Sequence, residues 1–353
     1  MSDHSRGAAL LRAAVKPTVA VVASLALGAA ILFMAGYDVW NAISSLFRAS
    51  FRNLFALTTT VNRSSPLLFV GLSVAIAFRG SVFNIGAEGQ FLVGAAAATF
   101  AGIGLTGLPG FVLLPLVIAA GAAGGALWAL IPSLLKARYD VSEVITTIMF
   151  NYIGLNLIGW LVRGPIKDAS QAEPQSFAIA RQAFMPSILP GTRLHFGFLL
   201  GIVLATAAYF FLFKTHAGYE LRAVGFNREA ARCGGIDVKA TIVGTMVFSG
   251  ALAGIGGAVE LADVHYLIEG LSPGYGYTGI SVAVLASNNP VGVVFSSLLF
   301  GALSSGASTM QREAGVSASF IGVFQGIIIV AIAIASVGQE AVRTVRIRGR
   351  AAA

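Results

Sequence analysis

The sequence is poor in charge and almost without cysteine. Only 11% of its 353 residues are Asp, Glu, Lys or Arg, while 56% are hydrophobic. A water-soluble chain carries about 25% charged residues, so this one lacks the polar surface that water requires. Its single cysteine, Cys233, excludes an intrachain disulfide and any cysteine-built metal site. The histidines His4, His195, His216 and His265 fall at neither i, i+4 nor HExxH spacing, and no metal centre is indicated. The sequence contains no GxxxxGK[ST] loop. Glu260, Asp263 and Glu269 cluster at the end of an apolar run without a partnered base. The chain is therefore expected not to be an enzyme, and no cofactor of its own is indicated.

What it does have is long apolar runs. Segments of roughly 20 such residues, the length that crosses a hydrocarbon core, recur from end to end. The expected fold class is an all-α integral membrane protein with about ten transmembrane helices. Spans are placed near 18–36, 64–79, 84–104, 110–131, 143–162, 194–213, 241–262, 276–289, 291–309 and 320–337. The first follows a basic segment, 1–17, with Arg6, Arg12 and Lys16. No small-residue cleavage site leads into a soluble region, so it reads as a retained helix rather than a signal peptide. A polytopic domain over 18–337 is followed by a basic tail, 338–353, with Arg343, Arg346, Arg348 and Arg350.

The net charge of +8 sits at helix ends, which is the positive-inside pattern and not a nucleic-acid footprint. It places both termini in the cytoplasm, with loop 132–142 (Lys136, Arg138) and loop 214–240 (Lys214, Arg222, Arg228, Arg232, Lys239). Segment 37–63 conflicts, because it carries Arg48, Arg52 and Arg63 on the opposite side. Its Val39–Leu57 stretch has the amphipathic look of an interfacial helix, which leaves nine or eleven spans as alternatives to the self-consistent even count. The outer loop 163–193 is polar and irregular. The inner loop 214–240 contains "NREAARCGGI", an Asn cap at Asn227, an Ala-rich helix and a Gly-Gly stop. "SVAIAFRG" at 73–80 faintly echoes "SVAVLASN" at 281–288. Both copies run in one direction, so the echo reads as chance.

A carboxylate at mid-bilayer costs several kcal/mol unless it is paired, neutral or facing a cavity. Glu88 lies in "FNIGAEGQFLVG", where Gly86 and Gly89 ease departure from helical geometry and Asn84 and Gln90 can satisfy freed backbone groups. Two readings stand: a broken helix lining a cavity, or a short turn in which Glu88 pairs Arg79. In the fifth span Thr147 and Asn151 share a face, and Asn151 with Tyr152 suits the wall of a cavity for a flat polar solute. Thr146 and Asn156 read as helix-to-helix glue. A second interrupted region, "EGLSPGYGYTGISVAVLASNNPVG", offers Tyr275, Tyr277 and Asn288 as pathway candidates. Gly121, Gly124, Gly125, Gly250, Gly254 and Gly257 suit close helix packing.

"FNIGAEGQ", "VSEVITTIMFNYI", "GPIKD", "GYELRAVGFNREAARCGGIDV", "SGALAGIGGAVE" and "SPGYGYTGISVAVL" resemble, in this order, the motifs of bacterial ABC importer permeases for nucleosides. These are relatives of the ribose-type and branched-chain amino acid permeases, and the resemblance covers about residues 64–337. It implies a permease of the cytoplasmic membrane that pairs with a second, homologous permease, as a heterodimer or homodimer. A double-cassette ATPase carrying ATP and Mg, and a periplasmic or lipoprotein binding protein, are the other implied partners. It also implies that the segment around Glu220, Arg222, Gly225, Asn227, Ala230, Ala231 and Gly235 is the coupling helix on the ATPase. "FNIGAEGQ" would belong to the translocation core, which favours the broken-helix reading. "RCGGI" and "SNNPVG" depart from the usual pattern. Simple-sugar transport is the close alternative, and proton-coupled transport through Glu88 a more distant one.

Overall fold

The computed structural model describes residues 22–317, 319–320, 322–327 and 330. Among these the helices are α1 (Val22–Met34), α2 (Val39–Phe51), α3 (Leu54–Arg79), α4 (Ala87–Gly104), α5 (Gly110–Tyr139), α6 (Glu143–Arg163), α7 (Gly197–Lys214), α8 (His216–Phe226), α9 (Arg228–Cys233), α10 (Val238–Val264), α11 (Tyr275–Leu285) and α12 (Pro290–Ala314). The fold is that of an all-α membrane protein. Six of these helices, α3, α5, α6, α7, α10 and α12, are long and apolar enough to cross a bilayer, and α1 and α11 are shorter apolar helices. Expected span 320–337 falls mostly outside the described residues.

One boundary moves. The amphipathic stretch expected over Val39–Leu57 ends at Phe51, and the spanning helix placed at 64–79 begins at Leu54. The Asn53 side chain accepts the Ala56 amide at 2.8 Å and so caps α3. The polar residues that follow enter the span because their hydroxyls bond backbone one turn earlier: Thr58 donates to Leu54 O at 2.9 Å and Ser64 to Thr60 O at 2.7 Å.

Asn53–Ala302 form one compact unit, and the described residues up to Arg52 and from Leu303 onward form another. In the larger unit α3 and α10 are the central helices, 78% and 67% buried over their apolar windows, whereas α5, α6 and α7 are 28–33% buried and supply the apolar periphery. Helices α4, α5 and α10 meet through glycine. Gly94, Gly121, Gly125, Gly250 and Gly254 bring backbone against backbone, so that a side chain at Gly254 would strike the Gly121 carbonyl. Gly257 packs likewise on the Phe91 carbonyl.

The two ends of α10 carry the two polar loops. At its C-terminal end the 164–196 segment is strapped down by backbone hydrogen bonds from Ser176 to Leu267, Ile179 to His265 and Met185 to Ala262, each 2.9 Å. At its N-terminal end Val238, Ile242 and Met246 pack with Val224 of α8, Ala231 of α9 and Val82 of the α3–α4 connection. Helices α3 and α11 both end with Schellman-type closures, Val82 N to Ala77 O at 3.1 Å and Asn288 N to Ala283 O at 2.9 Å, with Ser81 and Ser287 at positive φ. These equivalent turns are offset two residues from the register of the 73–80 and 281–288 echo.

In the smaller unit, α2 buries Ala42, Ser45, Leu46 and Ser50 and leaves Trp40, Phe47 and Phe51 exposed. Arg48 pairs Glu313 at 3.2 Å, and the Asn41 amide donates to Glu313 O at 3.2 Å.

Candidate functional site

The stretch between α3 and α4 is a hairpin that turns back into the bundle before helix resumes. Ser81 and Val82 lie beside α8, α9 and the start of α10, since Arg228 donates to Ser81 O at 2.9 Å and Val82 joins their apolar cluster. Asn84 already meets Ser249, eleven residues into α10 or about 16 Å along its axis. Irregular backbone therefore runs from beside the N-terminal end of α10 into the interior of the bundle, where α4 starts.

A hydrogen-bonded polar network holds this break. Asn84 Nδ2 donates to Gln90 Oε1 and to Ser249 Oγ, each 2.8 Å, while Asn84 Oδ1 accepts from Gln90 Nε2 and from the Gly86 amide, each 3.0 Å. Ser249 Oγ donates in turn to Ser73 O at 2.7 Å. From α6, Asn151 Oδ1 accepts the Gly89 amide at 2.8 Å, and its Nδ2 donates to Ile85 O at 2.8 Å and to the Tyr277 hydroxyl at 3.4 Å. Buried polar groups of this kind are stable because each is satisfied.

Glu88 lies in the first turn of α4 and is 6% exposed. Its Oε2 accepts the amide of Gly276, in the first turn of α11, at 2.6 Å, and the Ser272 hydroxyl and Gly274 amide face the same carboxylate. One side chain thus supplies negative charge to two helix N-termini that meet inside the bundle, where unpaired amides and helix dipoles favour an anion. Arg79 is not its partner. That guanidinium donates to the Asn288 and Ser287 carbonyls at 2.9 and 3.2 Å and lies over Phe213, 5.8 Å from the ring centre.

Of the candidate pathway residues, Asn84, Glu88, Gln90, Asn151 and Tyr277 come together at this break. Tyr275 starts α11 beside it but points to Phe91 and to Glu260, whose Oε1 accepts from its hydroxyl at 3.4 Å. Tyr152 turns away from Asn151 and is 58% exposed on the outer face of α6. Asn288 sits at the far end of α11, in the turn to α12, with φ +56°. Ser73 and Ser249 were missed. They stand 176 residues apart, and nothing in either local sequence distinguishes them from ordinary helix serines.

The acids at the end of α10 have partners after all. Asn62 donates to Asp263 Oδ2 at 3.0 Å, His195 Nε2 is 3.9 Å from Asp263 Oδ1, and Arg163 binds Glu269 at 2.6 Å. His195 Nδ1 accepts the Gly197 amide at 2.9 Å, which fixes the neutral tautomer. Burial pushes its pKa below the usual imidazole range, with Asp263 opposing.

The loop 214–240 folds as two short helices, α8 and α9. Thr215 caps the first by accepting the Gly218 amide at 3.1 Å, and Asn227 caps the second by accepting from Glu229 and Ala230, each 3.0 Å. Between them lies an open groove of about 390 Å³ lined by Glu220, Asn227, Ala230, Ala231 and Gly235 together with His216, Tyr219 and Phe226. Phe226 is 87% exposed and Tyr219 58%. Arg222 and Gly225 face the other way. Arg222 lies over Phe213, 5.2 Å from the ring centre, and donates to Gly218 O at 3.3 Å, while Gly225 packs on the Arg79 carbonyl.

A bundle of membrane-length helices with satisfied irregular backbone inside it, and a structured loop with exposed aromatics at one end, defines a multi-pass membrane permease. The chain belongs to the family described as branched-chain amino acid transport system / permease component, whose model matches residues 56–333. It is 39% identical to the guanosine ABC transporter permease protein NupP of Bacillus subtilis over 90% of this chain and 92% of that one. The glucose ABC transporter permease protein TsgB13 of Haloferax volcanii is 34% identical over 89% and 85% of the two chains. For the nucleoside ABC transporter permease protein NupB of Lactococcus lactis the identity is 32% over 90% of each. In the last-named bacterium and in Bacillus subtilis a second permease, NupC and NupQ, also matches, at 30% and 26% identity.

Proposed function

We propose that this chain is a membrane-spanning subunit of an ATP-driven ABC importer for nucleosides in the bacterial cytoplasmic membrane. The observation that carries the importer reading is mechanical. The hairpin over residues 80–86 holds α8 and α9 with Ser81 and Val82 and holds the interior break with Asn84. A partner that moves α8 and α9 therefore moves a rigid connection into the place where α4 and α11 begin. The α8–α9 groove, with exposed Phe226 and Tyr219, is the docking surface for a double-cassette ATPase, which binds ATP and Mg and performs all hydrolysis. ATP drives transport to the extent that the ATPase binds the inward-open and outward-open states with different affinity.

In this reading the groove and both termini lie in the cytoplasm. The strap over residues 164–196 lies outside, where a periplasmic or lipoprotein binding protein delivers substrate, and a second, homologous permease completes the pathway. Nucleoside as substrate draws on the NupP and NupB likenesses. A sugar is the alternative, favoured by TsgB13. Proton coupling through Glu88 is disfavoured because its carboxylate is engaged by the α11 amides. The test is radiolabelled guanosine uptake in cells expressing the permease with its neighbouring subunits. Saturable uptake that resists excess glucose and ribose and disappears on ATP depletion is expected. Block by either sugar would move the substrate to that class, and uptake lost with the proton gradient but not with ATP would overturn the importer.

A further inference from the structure

The polar atoms of the break are spent on one another, so the network that fixes the pathway wall has little left to offer a solute. What faces away from it is aromatic. Along the hairpin, Val82, Asn84 and Gly86 are buried while Phe83 is 52% exposed and Ile85 partly exposed. The Phe83 ring packs on Phe78, 5.4 Å between centres, and Tyr277, 45% exposed, reaches Ile85, two residues further along the hairpin, from α11, because the Asn151 carboxamide donates to both Ile85 O and the Tyr277 hydroxyl. The Tyr277 hydroxyl only accepts there, and among the described residues its proton has no acceptor. Tyr277 is eight residues short of the end of α11, roughly 12 Å inward from the turn beside Arg79. Irregular backbone and a phenol with an unspent donor at that depth belong on a wetted cavity, not on lipid.

We propose that Phe83 and Tyr277 form an aromatic face on the conduit wall that holds the base of a passing nucleoside, with the Tyr277 hydroxyl donating to the base edge. The proposal rests on the importer reading. The fit is chemical: a nucleobase is flat, with an apolar face that stacks on an aromatic ring and polar edges that need a donor or acceptor. A free sugar has no comparable planar face to lay on an exposed ring. The same surface tolerates different bases, since stacking does not read hydrogen-bond patterns, and this suits a conduit that must also release its solute.

The test uses the assembled importer in membrane vesicles, with the exposed Cys233 first replaced by serine and Phe83→Cys and Tyr277→Cys introduced singly. A charged, membrane-impermeant thiol reagent is expected to label both cysteines, and guanosine, but neither glucose nor ribose, is expected to slow labelling several-fold. Labelling by lipid-soluble reagents alone would overturn the proposal, as would labelling that no solute slows. Slowing by glucose but not guanosine would instead overturn the nucleoside reading itself. Uptake gives an independent check: Tyr277→Leu and Phe83→Leu should lower guanosine uptake about tenfold with subunit assembly intact, whereas Phe83→Tyr should retain most of it. Wild-type uptake in both leucine variants would reject the assignment.

Discussion

Glu88 is the residue on which the interior of this protein turns. A carboxylate away from water is costly unless hydrogen-bonded, and here the compensation comes from the Gly276 amide, with the Ser272 hydroxyl and the Gly274 amide facing the same group. Gly276 is obligatory in the same geometry, since any side chain there would collide with the Glu88 backbone. Removing the acceptor leaves a buried amide unpaired, a loss of about 1–3 kcal/mol, whereas a glutamine keeps an acceptor oxygen and forfeits only the charge. Thermal unfolding of the detergent-solubilised protein should therefore rank wild type above Glu88→Gln and Glu88→Ala last. An alanine variant as stable as wild type would refute the capping of α11 by Glu88. His195 offers a second test at this scale. Burial lowers its folded pKa, so the unfolded chain takes up the proton first as pH falls. Its contribution to stability is complete above the unfolded imidazole value of about 6.5 and declines below it. The wild-type melting temperature should fall more between pH 7.5 and 5 than that of His195→Gln, and parallel curves would exclude His195 as the source.

At the scale of elements, α8 and α9 show why part of the site was legible and part was not. Asn227 as a cap and Gly234 with Gly235 as a stop are local signals, and the helix they predict is present. The glycines of α5 and α10 announced close crossing for the same reason. Which way a side chain points is set by neighbours distant in sequence. Asn151 and Tyr152 are adjacent and face in opposite directions, because only one azimuth of α6 meets α4. Arg222 turns inward to Phe213, while Tyr219 and Phe226 line the groove, and their only local signal is that they are bulky apolar residues in a polar loop. The start of α3 was misplaced because threonines and serines that bond their own helix look polar in sequence but not in structure. From the groove follows a prediction: Phe226→Ala and Tyr219→Ala together should reduce co-purification of the ATPase at least tenfold while leaving the melting temperature of the permease unchanged. Undiminished co-purification would place the docking surface elsewhere.

For the whole molecule, the larger unit reads as two regions joined by one short connection. In the proposed importer the α8–α9 groove receives the ATPase and the α4–α11 break admits or excludes the solute, and the hairpin over residues 80–86 packs on both. The contacts that make this connection are few: Ser81 and Val82 on one side, and Asn84 and Ile85 on the other. The most direct measurement is ATP-driven guanosine accumulation in proteoliposomes holding the complete importer, read beside ATP hydrolysis in the same vesicles, for wild type and for Asn84→Ala, which frees the hairpin from Gln90 and Ser249. The account predicts that wild type accumulates guanosine only with ATP, and that Asn84→Ala still assembles and hydrolyses ATP but accumulates at least tenfold less. Accumulation by Asn84→Ala equal to wild type, at equal hydrolysis, would contradict it.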